Sequence, residues 1–197
     1  MEGHVFKHPF SCLVAGPSQS GKTTFVERLI KHRNEMIYPV PKSIIWHYSE
    51  FQPAYESMSN VVTFKKGVPT DVQLKSYSRN LVIIDDLMSE MGTVSSDVFT
   101  KHVHHNSMSV IYIVQNLFNS TKNHRTMSLN SNYIVLFKNP RDKAQVSFLA
   151  RQVFPHKPKI LLEAYNDATH DPHSYLLLDF QQSTPQKQTI EVGNISW

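Results

Sequence analysis

The eight residues Gly16-Pro-Ser-Gln-Ser-Gly-Lys-Thr23 constrain this chain more than any other stretch. They match G-x-x-x-x-G-K-[ST] in full, the pattern of a loop that wraps phosphate groups. Their flanks are those the loop requires. Residues 10–15 form a short apolar run that reads as a buried strand. Residues 22–33 repeat Phe25, Val26, Leu29 and Ile30 on one helical face. Glycines let successive backbone N–H groups close around phosphate oxygens, and the following helix presents its positive end. In this template Gly16, Pro17, Ser18, Gln19, Ser20, Gly21, Lys22, Thr23 and Thr24 hold the nucleotide. Lys22 reaches the β- and γ-phosphates of ATP, and the Thr23 hydroxyl ligates Mg²⁺. The alternative, a chance glycine- and serine-rich turn, does not account for the strand and helix on either side.

The remaining pattern is strands alternating with amphipathic helices. Strands are expected at residues 43–48, 61–64, 81–84, 109–115 and 132–137, with a closing pair at 175–180 and 189–195. Helices are expected at 70–77 with Thr70 as cap, at 95–105, at 142–154 capped by Asn139 or Asp142, and at 158–168. Residues 49–60 read as irregular. This alternation predicts an α/β fold with a mainly parallel sheet covered by helices on both faces, and with the phosphate loop it reads as a P-loop NTPase. The length fits a single domain over 1–197, with a core at about 10–160 and a C-terminal strand-pair extension at about 160–197.

Two polar strand ends complete a nucleotide site. In Leu81-Val-Ile-Ile-Asp-Asp86 four apolar residues deliver two acids to a loop edge. Asp85 is placed to hold Mg²⁺ or its waters, and Asp86 to face the attacking water. Many NTPases use a glutamate at the second place, so Glu90 is a substitute candidate. The strand 109–115 ends in Gln115, whose amide both donates and accepts, suiting it to sense the γ-phosphate or orient water. A plain polar strand end is the alternative for each.

Charge is unevenly placed. Residues 101–159 carry nine Lys/Arg against one Asp, and 160–197 carry one against five Asp/Glu. A polyanion partner explains such a block, because each neutralised phosphate releases counterions. A solvated basic face balancing the acidic tail is the other reading. No apolar run approaches the roughly 18 residues of a membrane span, so no membrane insertion is expected. The first residues lack a signal peptide pattern, so the chain is not expected to be secreted. One cysteine, Cys12, excludes an intramolecular disulfide framework. His102, His104 and His105 do not share a helix face and have no nearby cysteine or carboxylate, so packing is preferred over metal binding. Trp46, Tyr48, Phe51 and Tyr55 read as core and loop packing rather than a base-stacking platform.

Together GPSQSGKTTF, LVIIDDLM, FTKHVHHNSMSVIYIVQNLF and LNSNYIVLFKNPRDKAQVSFLARQVFP resemble the FtsK–HerA class of genome-packaging ATPases. The resemblance is to the small form carried by large eukaryotic DNA viruses and by Polinton, or adintovirus-like, elements. HSYLLLDF is similar to the closing strand of that family, so the likeness runs over about residues 10–180. It implies a strand added between the phosphate-loop strand and the Asp85 strand. It also implies ATP hydrolysis, a homo-oligomeric ring (penta- or hexamer), double-stranded DNA as cargo and a capsid vertex protein as partner. The place of action would be the virion or the infected host cell, nucleus or cytoplasm. Similar sequences often carry an arginine just after the His pair, where this chain has Asn106. A ring motor needs a cation from the neighbouring subunit, and Arg125 and Arg141 are the candidates. Lys101, Lys122, Lys138 and Lys143 are candidates for sequence-independent phosphate contacts to DNA. Two rivals remain: a small nucleotide kinase, which needs an arginine-rich lid, and a regulatory ATP-binding switch.

Overall fold

The computed structural model describes residues 4–87, 90, 105–117, 128–185 and 189–194. The described strands are β1 (Phe6–Lys7), β2 (Ser11–Ala15), β3 (Ile37–Tyr38), β4 (Ile44–Tyr48), β5 (Val62–Lys66), β6 (Leu81–Asp85), β7 (Ser109–Val114), β8 (Tyr133–Phe137), β9 (Ser174–Asp179) and β10 (Ile190–Asn194). The helices are α1 (Lys22–Lys31), α2 (Arg33–Met36), α3 (Asp71–Ser76), α4 (Ala144–Val153) and α5 (Pro158–Ala168). Eight strands form one sheet in the order β10-β9-β8-β2-β7-β6-β4-β5, and β1 pairs with β3 in a small parallel ribbon. The ladders from β5 across to β8 are parallel, whereas the β8–β9 and β9–β10 ladders are antiparallel, so β9 alone among these eight strands runs against the rest. This is the mixed, mostly parallel sheet expected from the sequence, and β7 lies between β2 and β6.

Alternation along each strand divides the core. Cys12, Val14, Ile83, Ile111, Ile113, Val135 and Leu177 face one side, with Phe25, Val26, Leu29 and Ile30 of α1. Leu13, Ala15, Val82, Ile84, Val110, Tyr112, Leu136 and Leu176 face the other, with Leu74 of α3, Val146 and Leu149 of α4, and Leu161 and Tyr165 of α5. Both faces are covered, so the strands carry continuous apolar runs. Each fully buried aliphatic side chain contributes about 1.5–3 kcal/mol relative to exposure.

Several boundaries differ from expectation for local reasons. The first helix stops at Lys31, and a separate turn, α2, runs to Met36. Thr70 caps α3 in a reciprocal capping box with Gln73, as expected. Neither Asn139 nor Asp142 is the cap of α4: that place is Lys143, which makes no side-chain cap bond. Instead Asn139 Oδ1 accepts from the backbone of Arg141 and Asp142, and Asp142 Oδ1 accepts from Gln145 N–H. The two side chains turn the backbone one step before the helix begins. Within 49–60, Pro53–Met58 is a 3₁₀ turn. The helix expected at 95–105 lies outside the described residues except for His105.

Aromatic packing ties the closing strands to the centre. Tyr175 of β9 meets Phe25 of α1 and Phe137 of β8 at ring-centroid distances of 5.0 and 5.5 Å. On β10 its register partner is Gly193. A Cβ on Gly193 would overlap the Tyr175 ring at Cζ and Oη, so the glycine is required by close approach rather than by backbone freedom. Gly193→Ala is therefore expected to lower stability by about 1–3 kcal/mol in denaturant unfolding. Much of that loss should be absent when the same change is made in a Tyr175→Leu background. An unchanged midpoint in Gly193→Ala would contradict the packing.

Candidate nucleotide site

The site forms at the carboxyl ends of β2, β6 and β7, where the chain order switches sides about β2. Such switch points are where open α/β sheets bind ligands. The loop leaving β2 is anchored by Gly16 N–H, which donates to the Val114 carbonyl of β7 at 3.3 Å. Gly16 has little room: a Cβ there would stand 2.7 Å from both Phe137 Cβ and Ser20 Oγ. Gln19 and Gly21 take left-handed φ values of 64° and 106°. These reverse the chain into α1, whose first turn holds no acidic residue to compete with an anion.

Lys22 is buried, and its Nζ donates to the Pro17 carbonyl at 2.8 Å. Burial lowers its pKa, while Asp85 and Asp86 pull it back up. Asp85, at the end of β6, is 5% exposed. Burial pushes its carboxyl up from the ordinary value. The Tyr55 hydroxyl and the Trp46 indole lower it, Asp86 raises it, and Lys22 lowers it. Tyr55 O–H donates to Asp85 Oδ2 at 2.6 Å. The Trp46 indole N–H is close but makes no hydrogen bond of good geometry. Asp86 follows at a φ of 54°, which turns its exposed carboxylate out of the strand line. Gln115 Nε2 donates to Asp86 Oδ2 at 3.0 Å.

These groups border one cleft of about 280 Å³, lined by Ser18, Gln19, Lys22, Thr23, Gln52, Asp85, Asp86, Ile113, Val114 and Gln115. Thr24 is exposed on α1 beside it. The cleft wall offers oxygen donors, among them the Ser18 and Thr23 hydroxyls and the Asp85 and Asp86 carboxylates, and the pair Thr23 and Asp85 fits a hard ion such as Mg²⁺. Tyr55 occupies Asp85 Oδ2, and the Asp85 side chain also borders the cleft.

Other sequence candidates sit elsewhere. Glu90 Oε1 accepts from Ser49 Oγ at 2.8 Å and is not part of the cleft wall. Arg141 is exposed in the turn between β8 and α4 and makes no ion pair with Asp142, whose Oδ2 accepts from Gln145 Nε2 at 2.6 Å. Lys138 Nζ donates to the His170 carbonyl at 3.0 Å, and Lys143 is exposed at the start of α4. Arg125, Lys101, Lys122, His102 and His104 lie outside the described residues. Asn106 precedes β7, at the strand end opposite Gln115, and donates to the Leu74 carbonyl at 3.1 Å.

Three contributors carried no signal in the sequence. Tyr55 holds Asp85 from 30 residues away. Gln52 enters the cleft from the segment after β4. His173, at a φ of 62°, donates from Nδ1 to the Ser20 carbonyl at 3.3 Å from the turn before β9.

No family model matches the chain, and no curated protein matches it by sequence. Solved structures do match. The genome packaging NTPase B204 from Sulfolobus turreted icosahedral virus 2, in complex with sulfate, superposes with a TM-score of 0.62 at 13% identity over 93% of this chain and 94% of that one. The same protein in complex with ATP-gammaS gives 0.61 at 13% identity, over 92% and 95%. The cytoplasmic domain of the Thermomonospora curvata type VII secretion ATPase EccC gives 0.58 at 11% identity, over 89% of this chain and 24% of that one. At these identities the likeness establishes the fold alone, a mostly parallel P-loop α/β sheet, in which this chain places β7 between β2 and β6. Among the described residues no helix is long and apolar enough to cross a membrane.

The buried acid makes a stability prediction. Its raised carboxyl pKa means the folded protein binds a proton more readily than the unfolded chain, so ionised Asp85 destabilises the fold above that range. Asp85→Asn is expected to be more stable than wild type by about 1 kcal/mol at neutral pH without nucleotide. That gap should close as pH falls through the raised carboxyl range toward about 3.9. A variant less stable than wild type at pH 7, or a gap independent of pH, would contradict the assignment.

Proposed function

We propose that this chain is an ATP-hydrolysing motor that translocates double-stranded DNA, of the kind that packages a viral genome into a preformed capsid. One observation carries the hydrolytic part: Lys22, Asp85, Asp86 and Gln115 border the same cleft, with β7 separating the phosphate loop from the acid-bearing strand. The packaging part is supported by a likeness to the viral genome packaging NTPase B204 that spans nearly all of both chains. The four sequence stretches that resemble the FtsK–HerA class support it independently.

In this reading residues 16–24 cradle the ATP phosphates. Lys22 leaves the Pro17 carbonyl for the β- and γ-oxygens. Thr23 and Asp85 would hold Mg²⁺, which would supply charge neutralisation to the phosphates. Asp86 accepts a proton from the attacking water, and Gln115, already hydrogen-bonded to Asp86, orients that water and registers the γ-phosphate. A neighbouring subunit in a homo-oligomeric ring, penta- or hexameric, contributes the cation that completes the transition state, from Arg125 or Arg141. The exposure of Arg141 at the strand-end edge suits that part. Lys101, Lys122, Lys138 and Lys143 contact duplex phosphates without reading sequence. The whole chain acts as one domain, with β9 and β10 as its extension, against a capsid vertex protein in the virion or infected cell.

Steady-state ATP hydrolysis with and without long duplex DNA tests this. Turnover should rise with DNA and vanish in Lys22→Ala. Asp86→Asn should lower kcat by about 10²-fold with nucleotide Kd little changed, and Gln115→Ala by about tenfold. Glu90→Gln should stay near wild type, because its carboxylate is engaged by Ser49. Turnover indifferent to DNA at concentrations that permit oligomers would overturn the motor reading and favour an ATP-binding switch.

A further inference from the structure

We infer that Tyr55 is a positioning residue for the metal-binding carboxylate: its hydroxyl fixes Asp85 by one oxygen so that the other faces the nucleotide cleft. The inference deepens the reading of Asp85 as a Mg²⁺ ligand and rests on it. Tyr55 O–H donates to Asp85 Oδ2 at 2.6 Å, and both side chains are buried, Tyr55 at 0% exposure. A hydrogen bond to an ionised acceptor at that length is among the stronger kinds. Inside a protein it also removes rotational freedom from the carboxylate.

The surroundings explain why a tyrosine can serve. Its ring is stacked on Phe64 of β5, with centroids 4.9 Å apart and planes at 15°. It contacts Trp46 at 5.1 Å, Phe51 at 5.4 Å and Tyr48 at 5.7 Å. Four aromatic neighbours therefore set the ring, and the ring sets the hydroxyl. The backbone is set too: Tyr55 lies on the 3₁₀ turn Pro53–Met58, where Tyr55 N–H donates to the Gln52 carbonyl at 3.0 Å. Gln52 itself lines the cleft. One short segment thus reaches the site twice, through a cleft-facing amide and through the support of the buried acid. The aromatic group after β4 is packing, as its sequence pattern suggests, and it is packing that ends in a polar contact with the site.

Partners that orient a metal-binding side chain from behind commonly change metal affinity by ten- to a hundredfold when removed. Removing only the hydroxyl keeps the ring and its stacking. Tyr55→Phe should therefore weaken metal binding without weakening nucleotide binding in the absence of metal. The probe is Mn²⁺, with free ion counted by electron paramagnetic resonance in the presence of the analogue AMPPCP. Wild type should bind Mn²⁺ with the analogue, and Tyr55→Phe should bind it about tenfold more weakly. Analogue affinity measured in EDTA should match wild type, and Asp85→Asn should define full loss. Equal Mn²⁺ affinity in wild type and Tyr55→Phe overturns the inference while leaving the nucleotide reading intact. Failure of wild type to bind the analogue at all overturns both.

A second measurement covers a variant that does not fold. With 3-fluorotyrosine at position 55 alone, the ¹⁹F resonance should move when Mg²⁺ is added to the AMPPCP complex, because the carboxylate partner then shares its charge with a cation. A resonance that does not move overturns the inference.

Discussion

Strand β7 is the spacer on which the site depends. It is hydrogen-bonded to β2 on one side and β6 on the other, in parallel register along its length. Neighbouring strands lie about 4.8 Å apart, so the β2 and β6 backbones stand about 10 Å from each other, and Lys22 and Asp85 reach the cleft from the two sides of β7. Without the inserted strand, β2 and β6 would be adjacent, and the end of β7 that carries Gln115 would not face the gap. The same strand anchors the loop, since Gly16 N–H donates to Val114. Sheet pairing and site geometry are one set of hydrogen bonds.

The site also shows where stability is given up. Asp85 and Lys22 are both largely withdrawn from water, and burial moves the pKa of each toward its neutral form. Each partly compensates the other, and Tyr55 adds a direct hydrogen bond. Most other buried strand side chains are apolar, and a buried polar one such as His47 of β4 is held by the Gly67 carbonyl and the Tyr77 hydroxyl. The tight approaches of Phe137 to Gly16 and of Tyr175 to Gly193 link the phosphate loop, β8, β9 and β10 into one packed unit.

Much of this was legible in the sequence. The phosphate loop, the apolar run into Asp85-Asp86, and the strand ending at Gln115 each pair a residue pattern with a definite chemistry, so their elements could be placed. The insertion of β7 between β2 and β6 came from resemblance rather than periodicity, because strand order is set by contacts distant in sequence. What was not legible has the same cause. Nothing local to Tyr55 distinguishes a core aromatic from one that holds an acid 30 residues on, and the sequence marked it only as packing. Glu90 read as a possible acid because of its spacing from Asp86, but Ser49 engages its carboxylate. The start of α4 was displaced because Asn139 and Asp142 spend their side chains on the preceding turn.

The central claim is directed movement along DNA powered at this cleft. The most direct measurement is displacement of a fluorescent third strand from a long duplex by the purified chain, followed in time with ATP. The account predicts that the third strand is released only with ATP and Mg²⁺, at a delay that lengthens with its distance from the duplex end. Hydrolysis of ATP on the same duplex with the third strand left in place would contradict it.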